Sequence, residues 1–523
     1  MSALKFKPFV PSQKQSDFFG FVEGRKGSCV LIAVAGSGKS TTILRSLVKI
    51  PEHERVLVLA FNAAIVKEAK ASLELLKLEM GRDFRNVRIM TFHGLGFGAV
   101  LKRLNRKVDP SGNKLRDLTR ELWGEETRTM YATFCCDLVS IAKGQGVGVL
   151  CADETFAWRS LIDHHDLTLE SEEASIERAI ELSRELLEHS NERAKVGIID
   201  YDDMLYLPLL WKLSLFQQDR IYVDEAQDTN PVRRALAKKA LRPGGFLYAV
   251  GDPRQAIYGF TGASHDAIDL IRKEFNAVEL PLTVSYRCPK AVGTLAREIV
   301  PYFEVHEGNE EGEVRRGVGV ADTLKLLGNH DAILCRNVAP LVELAYHIIS
   351  KGRACHVLGS EIGRGLAALV KKMNARTIDD VTAKEEGKEP TAGLVSKLQR
   401  YRDREVEAYM AKGEERKAEG VSDRVACLLT FVDALKENER TISKLLGRIE
   451  DLFSDSNGVL TLSTCHKAKG REWNNVAVWC QELMPSPWAR QDWQYEQERN
   501  LMYVRDTRAR KTLTFMRDDI GAK

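Results

Sequence analysis

Ala33-Val34-Ala35-Gly36-Ser37-Gly38-Lys39-Ser40 narrows the folds open to this chain more than any other segment. An apolar run, Val30-Leu31-Ile32, precedes it, and a stretch that reads as helix, Thr41 to Ile50, follows. A strand, a glycine loop and a helix N-terminus make a cradle for phosphate. Glycines let backbone N–H groups converge on the anion, and the helix dipole favours its charge. In such a cradle Lys39 reaches the β- and γ-phosphates and the Ser40 hydroxyl holds Mg2+. Ala35, Gly36, Ser37, Gly38 and Thr41 complete the loop and the first helical turn, while Ala33 stands where the general pattern has glycine. Far downstream, Arg220-Ile221-Tyr222-Val223 reads as a buried strand ending in Asp224-Glu225. Asp224 can complete the Mg2+ shell, and Glu225 can polarise an attacking water. The two halves together predict hydrolysis of a nucleoside triphosphate.

A chain of 523 residues has room for several domains. Its 77 Lys and Arg nearly balance 74 Asp and Glu, a net charge of +3. Any surface for a polyanion must therefore come from local patterning. None of the ten cysteines forms a C-x-x-C pair, which argues against zinc and iron–sulfur sites. Scattered thiols fit a reducing compartment. Met1 to Lys7 lacks the apolar segment of a secretion signal, and the apolar runs are too short for a membrane span.

Short apolar strands alternate with helical stretches from about residue 27 to 92 and again from about 285. Val56 to Phe61 and Val87 to Phe92 read as strands around a helix from Ala63 to Met80. Such alternation predicts α/β architecture with parallel sheets. Between 97 and 196 the spacing of Ile176, Ala179, Ile180 and Leu187 is helical. Between 366 and 455, Val425, Leu428, Leu429 and Val432 fit one helix face, and Ile442, Leu445, Leu446, Ile449 and Leu452 fit another. The expected organisation is a first α/β domain (1–96 and 197–285) split by a helical insertion (97–196), then a second (286–365 and 456–523) split by a short helical insertion (366–455). Ala383 to Pro390 reads as a mobile loop.

Further polar blocks sit at the ends of these strands. Gly251 to Phe260 carries Gln255, which can hydrogen-bond a γ-phosphate or the water, beside the aromatic rings of Tyr258 and Phe260. Tyr286-Arg287 and Tyr503 to Arg510 supply arginines that can spread over a γ-phosphate as charge shifts. Plainer roles stay open for each: a turn cap for Gln255, ion pairs for Arg287 and Arg508, core packing for the aromatics. The basic stretches Lys102-Arg103 and Arg233-Arg234 through Lys238-Lys239 read as solvated helix faces that could also track phosphates. Asp163-His164-His165-Asp166 reads as a solvated turn and not a metal site, and Cys135-Cys136 as helix packing.

Taken in order, these blocks resemble superfamily 1 DNA helicases of the UvrD/Rep/PcrA type. Pro11 to Gln15 resembles the Q motif, Ala33 to Ser40 motif I, Phe61 to Ala64 motif Ia and Thr91 to Gly94 motif Ib. Asp224 to Gln227 resembles motif II, Gly251 to Gly262 motif III, Tyr286-Arg287 motif IV, Thr464 to Trp473 motif V and Glu498 to Ala509 motif VI. Asp200 to Leu205 resembles the acidic block that precedes motif II. The Phe61-Asn62 and Lys469 to Trp473 blocks look most like the F-box DNA helicase branch, without a visible F-box. The resemblance implies two RecA-like P-loop domains with ATP and Mg2+ bound in the cleft between them. It implies that Gln15 reads adenine, Tyr286 stacks on it, Glu472 contacts the ribose, and Arg287 and Arg508 are arginine fingers. Phe61, Asn62, His93, Tyr258, Phe260 and His466 become the contacts to single-stranded DNA, with His93 equally readable as an interior histidine.

The implied activity is ATP-driven 3′→5′ movement along single strands with unwinding at single-strand/duplex junctions. Two other activities stay open: a translocase that strips proteins without unwinding, and a DNA-binding ATP switch that loads partners. RNA also stays open, since stacking does not read the sugar. The resemblance further implies a monomer or weak oligomer in the cytoplasm, nucleoid-associated in a bacterium or phage host. Thr41, Ala64 and Arg471 depart from the family pattern, and the second insertion is shorter than usual.

Overall fold

Every residue of Val56-Leu57-Val58-Leu59-Ala60 is buried, the pattern of a strand covered on both faces. The computed structural model describes residues 9–165, 167, 169, 173–257, 266–380, 391–411, 415–454 and 459–519. Two compact units divide the chain, Met1–Thr283 and Val284–Lys523.

In the first unit, β1 (Cys29–Ala33), β2 (Val56–Ala60), β3 (Val87–Thr91), β4 (Gln218–Val223), β5 (Leu241–Gly251) and β6 (Val278–Leu282) form one parallel sheet in the order β3-β2-β4-β5-β1-β6. Its helices are α1 (Gln13–Glu23), α2 (Lys39–Ser46), α3 (Ala63–Met80), α4 (Phe92–Leu104), α5 (Lys114–Leu122), α6 (Glu125–Gln145), α7 (Thr155–His165), α8 (Ile176–Lys195), α9 (Asp203–Leu210), α10 (Pro231–Ala240) and α11 (Ala267–Glu274). Strand residues alternate between two cores, as a period of two requires. Leu31, Val58, Tyr222 and Tyr248 pack with Phe18, Ile43 and Leu73 on one face. Val30, Leu57, Ile221 and Leu247 pack with Phe92, Leu205, Leu236 and Ile271 on the other.

Helices α5 to α8 enclose a core of their own around Leu138, Trp158 and Leu186, which also takes in Tyr206 and Leu207 of α9. Polar pins run beside it. Lys143 Nζ donates to Asp200 (2.6 Å), Asp203 (2.7 Å) and the Ser190 hydroxyl (3.0 Å). Lys114 Nζ donates to Asp203 (2.5 Å) and the Ser190 carbonyl (2.8 Å). The acidic block before motif II thus ties α5 and α6 to α9.

In the second unit, β7 (Val284–Ser285) pairs with β8 (Glu304–Val305). A second parallel sheet contains β9 (Glu313–Val318), β10 (Ala332–Cys335), β11 (Cys355–Val357), β12 (Leu460–Thr464), β13 (Trp473–Val478) and β14 (Ala509–Met516), in the order β11-β12-β10-β13-β14-β9. Its helices are α12 (Lys290–Arg297), α13 (Val320–Leu326), α14 (Ala339–Ser350), α15 (Ser360–Lys372), α16 (Leu394–Ala411), α17 (Glu415–Asp433), α18 (Ile442–Leu452) and α19 (Asp492–Asp506). Val425, Leu428 and Val432 of α17 and Leu445, Ile449 and Leu452 of α18 are buried in the same core as Ile333, Leu344 and Leu462. The helices between β11 and β12 therefore cover a face of this sheet.

Both units are thus RecA-like α/β folds with parallel sheets and helices inserted between strands. All ten cysteines are free thiols. Among the described residues no helix is long and apolar enough to cross a membrane, and no group of three or more His, Cys, Asp or Glu side chains is placed to hold a metal ion. The segment Ala383 to Pro390 lies outside the described residues.

Candidate active site

The sheet order sets the carboxyl ends of β1, β4 and β5 side by side, the edge where open parallel sheets take ligands. The glycine loop follows β1. Gly38 has φ +78°, a left-handed conformation that leaves the N-terminus of α2 without a side-chain cap. Its N–H groups stay available to an anion. Gln15 is buried in the capping box of α1, where its Oε1 accepts from Ser12 N–H (3.0 Å) and its Nε2 donates to Thr42 (2.9 Å). Each amide atom retains one further hydrogen-bonding position.

Lys39 Nζ lies 2.8 Å from the Glu225 carboxylate. Burial alone would lower the lysine's pKa, but the charges of Glu225, Asp224 and Asp252 outweigh it and hold Lys39 above its usual value. The Ser40 hydroxyl stands 3.5 Å from Asp224 Oδ2. Burial, reinforced by the adjacent Glu225 charge, pushes Asp224 up to about 6. Glu225 has φ +50°, rare for a residue with a side chain and characteristic of functional turns.

A hydrogen-bonded chain continues from Glu225. Gln227 Nε2 donates to Glu225 Oε2 at 2.5 Å, and Gln227 Oε1 accepts from Asp252 N–H at 3.1 Å. Asp252 Oδ2 accepts from Gln255 Nε2 at 2.7 Å. Gly251 makes this approach feasible, because a Cβ there would stand 2.5 Å from Gln227 Oε1. The Glu225 carboxylate and the Gln255 amide are thus joined through the buried residues Gln227 and Asp252.

The second unit carries a cluster of arginines. Arg508 is buried, and its guanidinium donates to the carbonyls of Val504 (2.8 Å) and Arg471 (3.1 Å) and to the Thr507 hydroxyl (3.1 Å). All three acceptors are neutral. Burial, then the like charge of Arg287, pulls Arg508 down to about 10. Arg287 and Arg510 both pair with Glu472. Tyr286 rests against His306, ring centroids 4.9 Å apart, and Asn309 Nδ2 donates to the carbonyls of Ser285 (3.0 Å) and Cys288 (2.8 Å), fixing the loop that holds Tyr286 and Arg287. A buried cation with neutral partners and a second cation nearby suits an incoming anion.

The carboxyl ends of β2 and β3 carry three of the strand-binding candidates, Phe61, Asn62 and His93. Phe61 and His93 are half-buried, and burial, then the charge of Arg233, lowers His93 to about 4. Asn62 caps α3, its Oδ1 accepting from Ile65 N–H at 2.9 Å. His466 follows β12 and is half-buried. Tyr258 and Phe260 lie outside the described residues. Arg233 and Arg234 differ from the solvated face expected of them: Arg234 is buried and pairs with Glu274 at 3.0 Å, and Arg233 lies over the Phe61 ring at 4.5 Å.

The UvrD/REP helicase N-terminal domain family matches residues 19–276, and the UvrD-like helicase C-terminal domain family matches 368–517. This chain belongs to the UvrD-like helicases. Its similarity to F-box DNA helicase 1 of Gallus gallus is 24% identity over 522 aligned residues, 92% of this chain and 46% of that protein. ATP-dependent DNA helicase Rep of Buchnera aphidicola (Acyrthosiphon pisum strain APS) is 24% identical over 307 residues, 54% of this chain and 45% of Rep. ATP-dependent DNA helicase PcrA of Leuconostoc citreum is 23% identical over 295 residues, 53% of this chain and 38% of PcrA. The chain spans less than half the length of each of these relatives.

For a UvrD-like helicase the donor set suits magnesium. Ser40 and Asp224 offer two hard oxygen donors at one edge of the glycine loop, and a buried carboxylate that resists ionisation gains from a cation. The sequence reading did not single out Gln227, Asp252, His306 or Arg510. Gln227 and Asp252 were visible only as members of motifs II and III.

Proposed function

We propose that this UvrD-like helicase hydrolyses ATP to move along single-stranded DNA in the 3′→5′ direction and to separate duplex at single-strand/duplex junctions. One observation carries the reading: Lys39, Ser40, Asp224 and Glu225 converge at one edge of the glycine loop, with Lys39 2.8 Å from Glu225 and Ser40 3.5 Å from Asp224. The relatives include ATP-dependent DNA helicases, which supports ATP and DNA as the ligands.

In this mechanism the γ-phosphate takes over Lys39 and frees Glu225. Glu225, held by Gln227, then accepts a proton from the attacking water. Gln255 hydrogen-bonds the γ-phosphate, and Arg287 and Arg508 meet the charge that develops on it; such an arginine is typically worth about 10³–10⁵ in rate. Ser40 and Asp224 would hold Mg2+, which would supply charge neutralisation to the phosphates. Gln15 reads the adenine edge with its spare positions, Tyr286 stacks on the base, and Glu472 contacts the ribose. Phe61, Asn62, His93, Tyr258, Phe260 and His466 follow the strand by stacking and hydrogen bonding.

Strand displacement from duplexes with a 3′ or a 5′ single-stranded tail tests this. ATP-dependent release from the 3′-tailed duplex, with little from the 5′-tailed one, is the expected result. Equal release from both contradicts the polarity. ATP-dependent removal of a protein block without strand release assigns a stripping translocase.

A further inference from the structure

We propose that Arg233 contacts the bound single strand and links it to the turn that carries Glu225. The inference rests on the strand-binding reading above, and adds a residue whose neighbours suit a phosphate beside a stacked base.

Arg233 is held in place from its backbone outward. The turn Ala226–Asp228 leads to Asn230, whose Oδ1 accepts from Arg233 N–H at 2.9 Å, and Pro231 starts α10. The guanidinium carbon lies 4.5 Å from the centroid of the Phe61 ring. One terminal nitrogen donates to the Asp228 carbonyl at 3.0 Å. Its Nε is buried and has no hydrogen-bond acceptor among the described residues. No carboxylate among the described residues forms an ion pair with it, whereas the neighbouring Arg234 pairs with Glu274 at 3.0 Å. The carboxylates of Asp228 and Asp202 act on Arg233 only through the field, and they partly offset its burial.

A guanidinium over an aromatic ring keeps its charge and its planar fork. Bases stack on such planes, and phosphates accept from such forks. Arg233 sits where β2 and β3 end, beside Phe61 and His93. Its other contact, the Asp228 carbonyl, belongs to the turn that contains Gln227, and Gln227 holds Glu225. A strand that draws on the guanidinium therefore pulls on the segment that positions the water-polarising carboxylate.

Arg233→Met keeps apolar bulk over Phe61 and removes charge and fork, while Arg233→Lys restores charge alone. The probe is oligo(dT). ATP turnover is measured with and without it, and affinity by fluorescence anisotropy at several salt concentrations, on variants whose thermal unfolding matches the wild type. For Arg233→Met the expected results are a stimulation ratio down about tenfold, affinity down about tenfold, and a salt slope smaller by about one. Arg233→Lys should recover affinity more fully than stimulation. The proposal is overturned if ratio, affinity and slope all stay within about twofold of wild type. It is also overturned if turnover with and without oligo(dT) falls by the same factor at an unchanged slope. Wild-type protein that neither binds oligo(dT) nor responds to it removes the strand-binding reading itself, and this proposal with it.

Discussion

Gln227 donates a 2.5 Å hydrogen bond to the Glu225 carboxylate while its carbonyl oxygen accepts from the backbone of Asp252. One amide therefore fixes the carboxylate expected to polarise water and ties it to the turn that bears Gln255. Gln227→Ala should lower kcat about tenfold or more and leave the KM for ATP nearly unchanged, because the loss falls on positioning and not on binding. Gly251→Ala should reproduce the kcat defect, since its Cβ would stand 2.5 Å from Gln227 Oε1. Steady-state kinetics on both variants checks this.

Glu225 and Lys39 form an ion pair that, in the proposed mechanism, a γ-phosphate displaces. Glu225→Gln removes the base and weakens this competition. Fluorescent-nucleotide titration should show affinity equal to or tighter than wild type. Single-turnover hydrolysis should fall by about 10²–10⁴, the usual scale for a lost general base.

Lys143 is fully enclosed and bonded to both Asp200 and Asp203. Lys143→Met leaves two carboxylates short of a partner in a buried setting. Removing one member of such a network costs about 3–5 kcal/mol. Urea unfolding should show a clearly lower midpoint, and Lys143→Met combined with Asp203→Asn should lose less than the two separate changes added together.

His93 titrates near 4 in the folded protein against 6.5 in its ordinary state, owing to burial and then to the Arg233 charge. Between those values the unfolded chain holds more protons. The stability contributed by His93 is therefore complete above about 6.5 and declines as the pH falls toward about 4. As the pH is lowered from 7 to 4.5, unfolding midpoints should drop more steeply for wild type than for His93→Gln. An NMR titration should find the imidazole still neutral at pH 5.5.

Much of this molecule was legible in its sequence where burial is complete on both faces of a strand. The run Val56 to Ala60 and the helix Ala63–Met80 appear where their apolar patterns place them. Two of the edge strands, β6 and β9, were not legible. β6 holds Glu279 and Pro281, and β9 holds Glu313, Arg315 and Arg316, so neither shows an apolar run; edge strands with one open side tolerate charge and proline. β14 follows directly on the arginines of motif VI, which hid its apolar half. The glycine loop and Asp224-Glu225 were readable because local spacing alone defines them. Gln227 became a bridge only because β4 and β5 are neighbours, and Arg233 left its expected solvated face only because α10 packs beside the end of β2. Contacts of this kind depend on tertiary neighbours and carry no local signature.

The central claim is that the Lys39–Glu225 site hydrolyses ATP in response to a single strand. Steady-state ATP turnover with and without oligo(dT), for wild type and Lys39→Ala, tests it most directly. The account predicts strong stimulation by oligo(dT) in the wild type and loss of turnover in the variant. Folded wild-type protein whose hydrolysis is absent, or is indifferent to oligo(dT), would contradict it.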